Sequence, residues 1–305
     1  MRTIGLYGIA VLLALAISCI NSAQGNIRDI SDEGVKQDTS DIAETVTGTG
    51  WVQTWGTTVD QGMCDVEYVA LSDNGFIYTV GNYHCIVDFD PTDGEYLYGI
   101  DDFGVSIYIS KYETDGNYLW TRVFDGRLGN DLGGMAVNSA GDIFITGIFR
   151  EAADFDPGED TAIRRAGVGG QRYLLKLDSD GKYQWVKTWI GSAYTYMTIG
   201  PDDMVYVSGK LLSAEANRYN ESISYDTAYE IDITDIQPDT VFILVFDGDG
   251  TLDNIFNWAV PDDATLYIND NVIDRDGSFC LVGEFTGTVD FAPIGSDSEF
   301  PATSM

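Results

Sequence analysis

The sequence predicts an all-β fold, a β-propeller built of four-stranded antiparallel blades and incomplete, with three full blades plus partial ones. Three observations predict it. A phrase G-x-h-h-x-x-G (h apolar or aromatic) runs from Gly75 to Gly81, Gly141 to Gly147 and Gly277 to Gly283, with Asp203 opening the copy that ends at Gly209. A D-G turn recurs at Asp115-Gly116, Asp180-Gly181 and Asp249-Gly250, followed by an aromatic pair, Trp120/Phe124 and Trp185/Trp189, of which only Trp258 survives in the third copy. The same pair stands alone at Trp51/Trp55, and Trp51, Trp120, Trp185 and Asn254 are spaced by about 65–69 residues. Short apolar runs at such a period indicate stacked repeats rather than one continuous core.

The chain opens on an export signal. Arg2 supplies the basic start, and residues 4–17 form an apolar stretch too short and wrongly flanked for a stable span. It ends Ala16-Ile17-Ser18-Cys19, with small residues placed for cleavage before Cys19. The string resembles a bacterial lipobox, with Ala16 where the pattern prefers Leu; that resemblance implies lipidation of Cys19 and a cell-envelope lipoprotein. The alternative is an ordinary secreted protein with an incidental cysteine. Residues 19–50 carry no aromatic side chain and few large apolar ones, so they cannot offset the entropy of ordering and read as a flexible tether.

From residue 51 onward the reading is all strands. Residues 68–71 and 76–80 flank Ser72-Asp73-Asn74-Gly75, a hairpin turn whose glycine accepts positive φ. Its counterparts join 135–137 to 143–146, 197–199 to 204–208, and 272–273 to 278–282. A second hairpin joins 107–112 to 117–123, 173–177 to 183–189, and 241–246 to 252–258. Two consecutive hairpins make a four-stranded meander, the unit of a propeller blade. Blades are expected near 66–124, 134–190 and 195–259, with a partial one at 268–291 and a lone strand at 51–55. The insertion between hairpins carries Asp88-Phe89-Asp90-Pro91 and Asp154-Phe155-Asp156-Pro157, echoed by Asp290-Phe291-Ala292-Pro293, and is lost from the third blade in favour of a long insertion over 211–240.

This set of phrases resembles the bacterial seven-bladed propeller repeats known as SBBP repeats, in which a V-D-x-x-G-N-x-Y-V-T-G hairpin alternates with F-x-x-K-L-D-x-D-G-x-x-x-W. Residues 137–147 and 173–185 match best, and the resemblance covers about 51–291. It implies an extracellular or surface-displayed propeller, mostly without assigned activity, and supplies no catalytic residues. Closed propellers typically have about 4–8 blades, and seven at this period would take about 460 residues. Either the strand at Trp51/Trp55 completes an unusual four-bladed ring, or the chain is a shortened product; the second is expected.

Composition narrows the function. With 49 Asp+Glu against 16 Lys+Arg, the net charge is -33, which repels phosphate backbones and anionic headgroups. No nucleic-acid partner is expected, and contact with a membrane only through the lipid anchor. The expected partner is an extracellular protein or glycan of unknown identity. After the leader no apolar run reaches the roughly 18–20 residues a membrane helix needs.

Candidate chemistry is sparse. If Asn74-Gly75 were a two-residue turn, Cys64 would lie directly opposite Cys85 at a non-hydrogen-bonded pair, close enough for a disulfide that export permits; a longer turn would shift that register. Cys280 takes the position of Tyr78, Phe144 and Tyr206, which predicts a buried core thiol. The D-x-D-G turns at Asp178, Asp247 and Asp274 look like fragments of calcium loops, yet the twelfth position counted from Asp178 is Trp189, where a bidentate Glu belongs. They read instead as turns whose Asp caps backbone N–H groups. Asp88/Asp90 and Asp154/Asp156 are the better calcium candidates, beside the simpler reading of a turn with a buried Phe. His84 is the single histidine and no G-x-S-x-G elbow occurs, so no triad is predicted. The leading expectation is a non-catalytic surface scaffold; the alternative is an exported carboxylate-dependent hydrolase acting on a glycan-like polymer.

Overall fold

Each first hairpin turns on a residue in the left-handed region. In the computed structural model these are Gly75 (φ 83°), Gly141 (88°), Gly277 (80°) and, in the third copy, Asp203 (60°). The structure describes residues 56–57, 63–84, 86–90, 96–98, 105–124, 128, 131–166, 170–189, 195–211, 240–274, 276–291 and 301–303. The leader, Cys19, the tether, the Trp51/Trp55 strand, Cys85 and residues 212–239 lie outside the described residues. The amide of Gly75 donates to the Ser72 carbonyl at 3.0 Å, and that of Ser72 to the Phe76 carbonyl at 2.9 Å. This is a three-residue loop, a type I turn closed by a left-handed residue, rather than a two-residue turn. The extra residue shifts the register by one, so Tyr68 faces Val80, and a further one-residue shift between β2 and β3 leaves Cys64 facing Tyr83.

The described residues are all strand and turn, assembled into antiparallel sheets in chain order. In the first sheet β2 (Met63–Cys64) and β3 (Tyr68–Leu71) pair with β4 (Phe76–His84), followed by β7 (Ser106–Glu113) and β8 (Tyr118–Val123). The second has the order β9 (Leu132–Val137), β10 (Ile143–Phe149), β13 (Gln171–Leu177), β14 (Tyr183–Trp189). The third has the order β15 (Thr195–Ile199), β16 (Val205–Leu211), β17 (Thr240–Phe246), β18 (Leu252–Trp258). A fourth sheet holds β19 (Thr265–Ile273) and β20 (Phe279–Thr286). Small pairings serve the insertions: β1 (Gly56–Thr57) with β5 (Val87–Asp88) and β6 (Leu97–Tyr98), β11 (Ala152–Asp154) with β12 (Ile163–Arg165), and β21 (Thr288–Asp290) with β22 (Pro301–Thr303). No helix among the described residues is long and apolar enough to cross a membrane.

The sheets stack face to face, which explains the near-continuous apolar sequence of their middle strands. In β10, Ile143, Ile145 and Phe149 belong to the core shared with the first sheet, whereas Phe144 belongs to the core shared with the third. Period-two alternation sends successive side chains to opposite faces, and here both faces are covered. The first strands of successive sheets also touch, β3 against β9, β9 against β15 and β15 against β19.

Two seams are closed by a repeated clasp. Lys111 on β7 donates from Nζ to the carbonyl of Ser179 in the second sheet's D-G turn (2.7 Å) and lies 4.1 Å from the centroid of the Phe76 ring. Beside it, Arg122 Nη2 donates to the Asp180 carbonyl at 3.0 Å and stacks over Trp120. Trp120 packs so close to Gly181 that an added Cβ would sit 2.8 Å from its ring. The next seam repeats the device: Lys176 Nζ reaches the Gly248 carbonyl (2.9 Å) and Asp142 (2.8 Å), and Trp185 Nε1 donates to the same carbonyl at 3.3 Å. In the third sheet Val245 stands opposite Tyr206, where Lys176 stands opposite Phe144, and Asn254 and Phe256 replace Trp185 and Lys187. The third seam is held differently, by Lys210 Nζ on the Leu266 carbonyl (3.2 Å) and Asn271 Nδ2 on Ser208 Oγ (2.5 Å).

Cys280 corrects an expectation. It takes the station of Phe144, but Phe144 is walled in by Lys176 on the neighbouring β13, whereas β20 has only β19 beside it among the described residues. The thiol is exposed rather than buried in the core.

Candidate functional site

The first strands place one residue of each repeat at a shared station, the residue paired with the one before the repeated glycine. Tyr68 pairs with Val80, Gly134 with Thr146, Tyr196 with Ser208 and Asp270 with Val282. These positions lie on first strands of which each touches the next. The Tyr68 hydroxyl is held above its ordinary pKa by burial first, and then by the nearby Glu67, Tyr196 and Asp270. Its Oη reaches the Leu132 carbonyl at 3.4 Å.

One step along, Glu67 stands where the second and third repeats have Gly133 and Thr195. A Cβ on Gly133 would collide with Thr195 Oγ1, so glycine is needed for β9 to press against β15. Glu67 accepts a hydrogen bond from Asn82 Nδ2. Burial pushes its carboxyl above the ordinary range, the charges of Asp65 and Asp131 push it further, and the Asn82 bond opposes them. Asp65 Oδ1 accepts from the Asn82 amide at 2.9 Å, and Asp131 pairs with Arg150 at 2.7 Å.

Tyr173 is fully buried, and its Oη has no hydrogen-bond partner among the described residues. In the first repeat Tyr108, opposite Gly81 as Tyr173 is opposite Gly147, donates from Oη to the Asp65 carbonyl at 2.8 Å. In the second repeat the Tyr173 Oη and the Asp131 carbonyl each lie 2.9 Å from the point a Gly147 Cβ would occupy. Burial, and after it the charge of Glu67, raises the Tyr173 pKa.

The aspartate phrases do a different job. Asp154 Oδ1 accepts from the amides of Asp156 (3.1 Å) and Ala162 (2.7 Å), and Asp88 Oδ1 accepts from those of Asp90 (3.1 Å) and Tyr96 (3.0 Å). Asp156 Oδ1 in turn accepts from the Gly158 amide. Between the acids, Phe155 packs on Phe149 and Tyr173 at 5.1 Å, and Phe89 on Tyr83 and Tyr108 at 5.3 and 4.8 Å. The phrase is a side-chain-capped turn that anchors a buried ring onto the sheet. The D-G turns work alike: Asp178, Asp247 and Asp274 each cap the amides two and four residues on. Among the described residues no three His, Cys, Asp or Glu side chains are grouped to hold a metal ion. Cys64 is buried at 0 % exposure opposite Tyr83, and the proposed bridge to Cys85 falls partly outside the described residues.

Sequence reasoning missed Glu67, Tyr68, Asp131, Tyr173, Tyr196 and Asp270. One signal was available: Asp65 and Asp131 precede equivalent strands. No family model and no curated protein matches this chain.

Proposed function

We propose that this chain is an exported β-propeller scaffold that binds an extracellular partner without turning it over. The observation that carries the reading is the meeting of first strands from successive sheets, β3 with β9, β9 with β15 and β15 with β19. Stacked antiparallel meanders whose inner strands converge are the propeller plan. The leader and the lipobox-like Ala16-Ile17-Ser18-Cys19 support display at the cell envelope. Expression of the full chain in a bacterial host with labelled palmitate tests the placement. Label on the wild type and none on Cys19→Ala is expected; an unlabelled wild type removes the anchor and leaves a secreted propeller.

A second reading, an exported carboxylate-dependent hydrolase, is favoured by Glu67, whose raised pKa beside Asp65 and Asp131 suits a general acid. Incubation of the full chain with a glycan panel separates the two. Turnover abolished by Glu67→Gln establishes the hydrolase; binding without released sugar supports the scaffold.

A further inference from the structure

We infer that the open edge of β20 is an interface at which two copies of this chain pair, antiparallel and about a two-fold axis at Leu281. The inference rests on the fourth hairpin alone and does not depend on the propeller reading. In the first three sheets the second hairpin strand is flanked on both sides: β4 by β3 and β7, β10 by β9 and β13, β16 by β15 and β17. β20 has β19 on one side and, among the described residues, no strand on the other. Exposure follows. Every residue of β10 is buried, whereas Val282 on β20 is 57 % exposed and Cys280 is exposed with it. An open edge of this kind presents a row of unpaired N–H and C=O groups, a template for a further strand.

The strand itself says which occupant fits. In each complete sheet the residue that faces the repeated glycine from this edge is aromatic: Tyr108 faces Gly81, Tyr173 faces Gly147 and Phe242 faces Gly209. The fourth copy of that glycine is Gly283. A second β20, laid antiparallel with Leu281 against Leu281, sets Phe279 against Gly283 on each side of the axis and Cys280 against Val282. The strand thus supplies the aromatic that its own glycine station takes, which is the self-complementarity a two-fold interface requires. The backbone is oriented for it. The Asp274 amide donates to the Ser278 carbonyl at 3.0 Å, so Ser278 turns that carbonyl towards β19. Alternation then turns the amides and carbonyls of Phe279 and Leu281 outwards, to the open edge. Glu284 falls opposite Ser278 in this register, not opposite another acid. The net charge of -33 on each chain opposes association, so the pairing is salt-dependent.

Light scattering of the full chain across concentration and salt reads the pairing. Two chains per particle are expected, with the dimer strengthening as salt rises. Val282→Cys reads the register: it sets a thiol opposite Cys280 of the second copy at a non-hydrogen-bonded pair, where side chains are close enough to bridge. With oxidised glutathione as oxidant, this variant should form a chain-to-chain disulfide to Cys280, located by peptide mapping, whereas the parent and Thr286→Cys should not. Leu281→Pro removes an outward amide while sparing the ladder to β19, and should weaken the dimer at least about tenfold. Should Leu281→Pro fail to fold, the bridge in Val282→Cys decides. A monomer at every salt and concentration, particles of more than two chains, bridging as strong in Thr286→Cys as in Val282→Cys, or an unchanged dimer in Leu281→Pro would overturn the inference.

Discussion

The Nζ of Lys176 donates a 2.9 Å hydrogen bond to the carbonyl of Gly248, and the Nζ of Lys111 reaches the carbonyl of Ser179 one repeat earlier. One lysine therefore ties the third strand of a sheet to the D-G turn of the next. For Lys176, the ammonium also meets Asp142 at 2.8 Å, with its side chain 13 % exposed. Lys176→Met keeps most of the apolar stem and removes the charge. It should lower the stability of the full chain by about 1–3 kcal/mol, because a partly buried carboxylate and a carbonyl both lose a charged donor. Urea denaturation followed by tryptophan fluorescence reads the change.

The same seam makes a sharp pair of glycine variants. Gly181 has φ 76°, and a Cβ there would press on Trp120 at 2.8 Å; Gly248 has nothing within 4 Å of an added Cβ. Gly181→Ala should cost about 1–3 kcal/mol through strain and collision, whereas Gly248→Ala should stay within about 0.5 kcal/mol of the parent. Thermal melts of both variants, side by side, check the contrast.

Glu67 gives a dependence on pH. Its carboxyl is raised in the folded chain, chiefly by burial and then by Asp65 and Asp131. A raised acid binds its proton more tightly when folded, so its ionisation opposes folding above the folded pKa and has no effect well below the unfolded value. Glu67→Gln should accordingly melt slightly higher than the parent at pH 7, by an amount within about 1 kcal/mol for a solvent-screened site. The gap should close as pH falls below about 4, the ordinary glutamate range. Melting both proteins from pH 3 to pH 8 shows whether the curves converge.

Cysteine labelling reports on the open side of β20. Cys280 is exposed and Cys64 is buried. Brief maleimide treatment of the native chain, followed by peptide mapping, should modify Cys280, with Cys64 modified only after denaturation.

Much of the fold was legible because turn chemistry is local. The glycines at 75, 141 and 277 mark turns in any context, and alternating apolar residues marked the strands around them. Register was harder, since a left-handed glycine closing a three-residue loop looks the same in sequence as one in a two-residue turn. Cys280 was misread because equivalence to Phe144 fixes its station on the strand but not the presence of a covering neighbour. The D-F-D-P phrase stood out through repetition, and in the first two sheets it is the same structural device, a capped turn that seats a buried ring. The residues of the first-strand station escaped for the opposite reason. Tyr68, Gly134, Tyr196 and Asp270 share a station but hold three different residue types, and Glu67 is replaced by Gly133 and Thr195 in its sister repeats. Asymmetric residues at a symmetric station carry no periodic signal.

A propeller requires the repeats to bend around a common axis rather than stack in a row. Packed sheets lie about 10 Å apart, so three seams in a straight stack would separate the first and fourth repeats by about 30 Å. A spin-label distance between Tyr68→Cys and Asp270→Cys, in a chain whose native cysteines are replaced by serine, reads this directly. The convergent arrangement gives a narrow distribution well below about 20 Å, whereas a distribution centred near or beyond about 30 Å would contradict it.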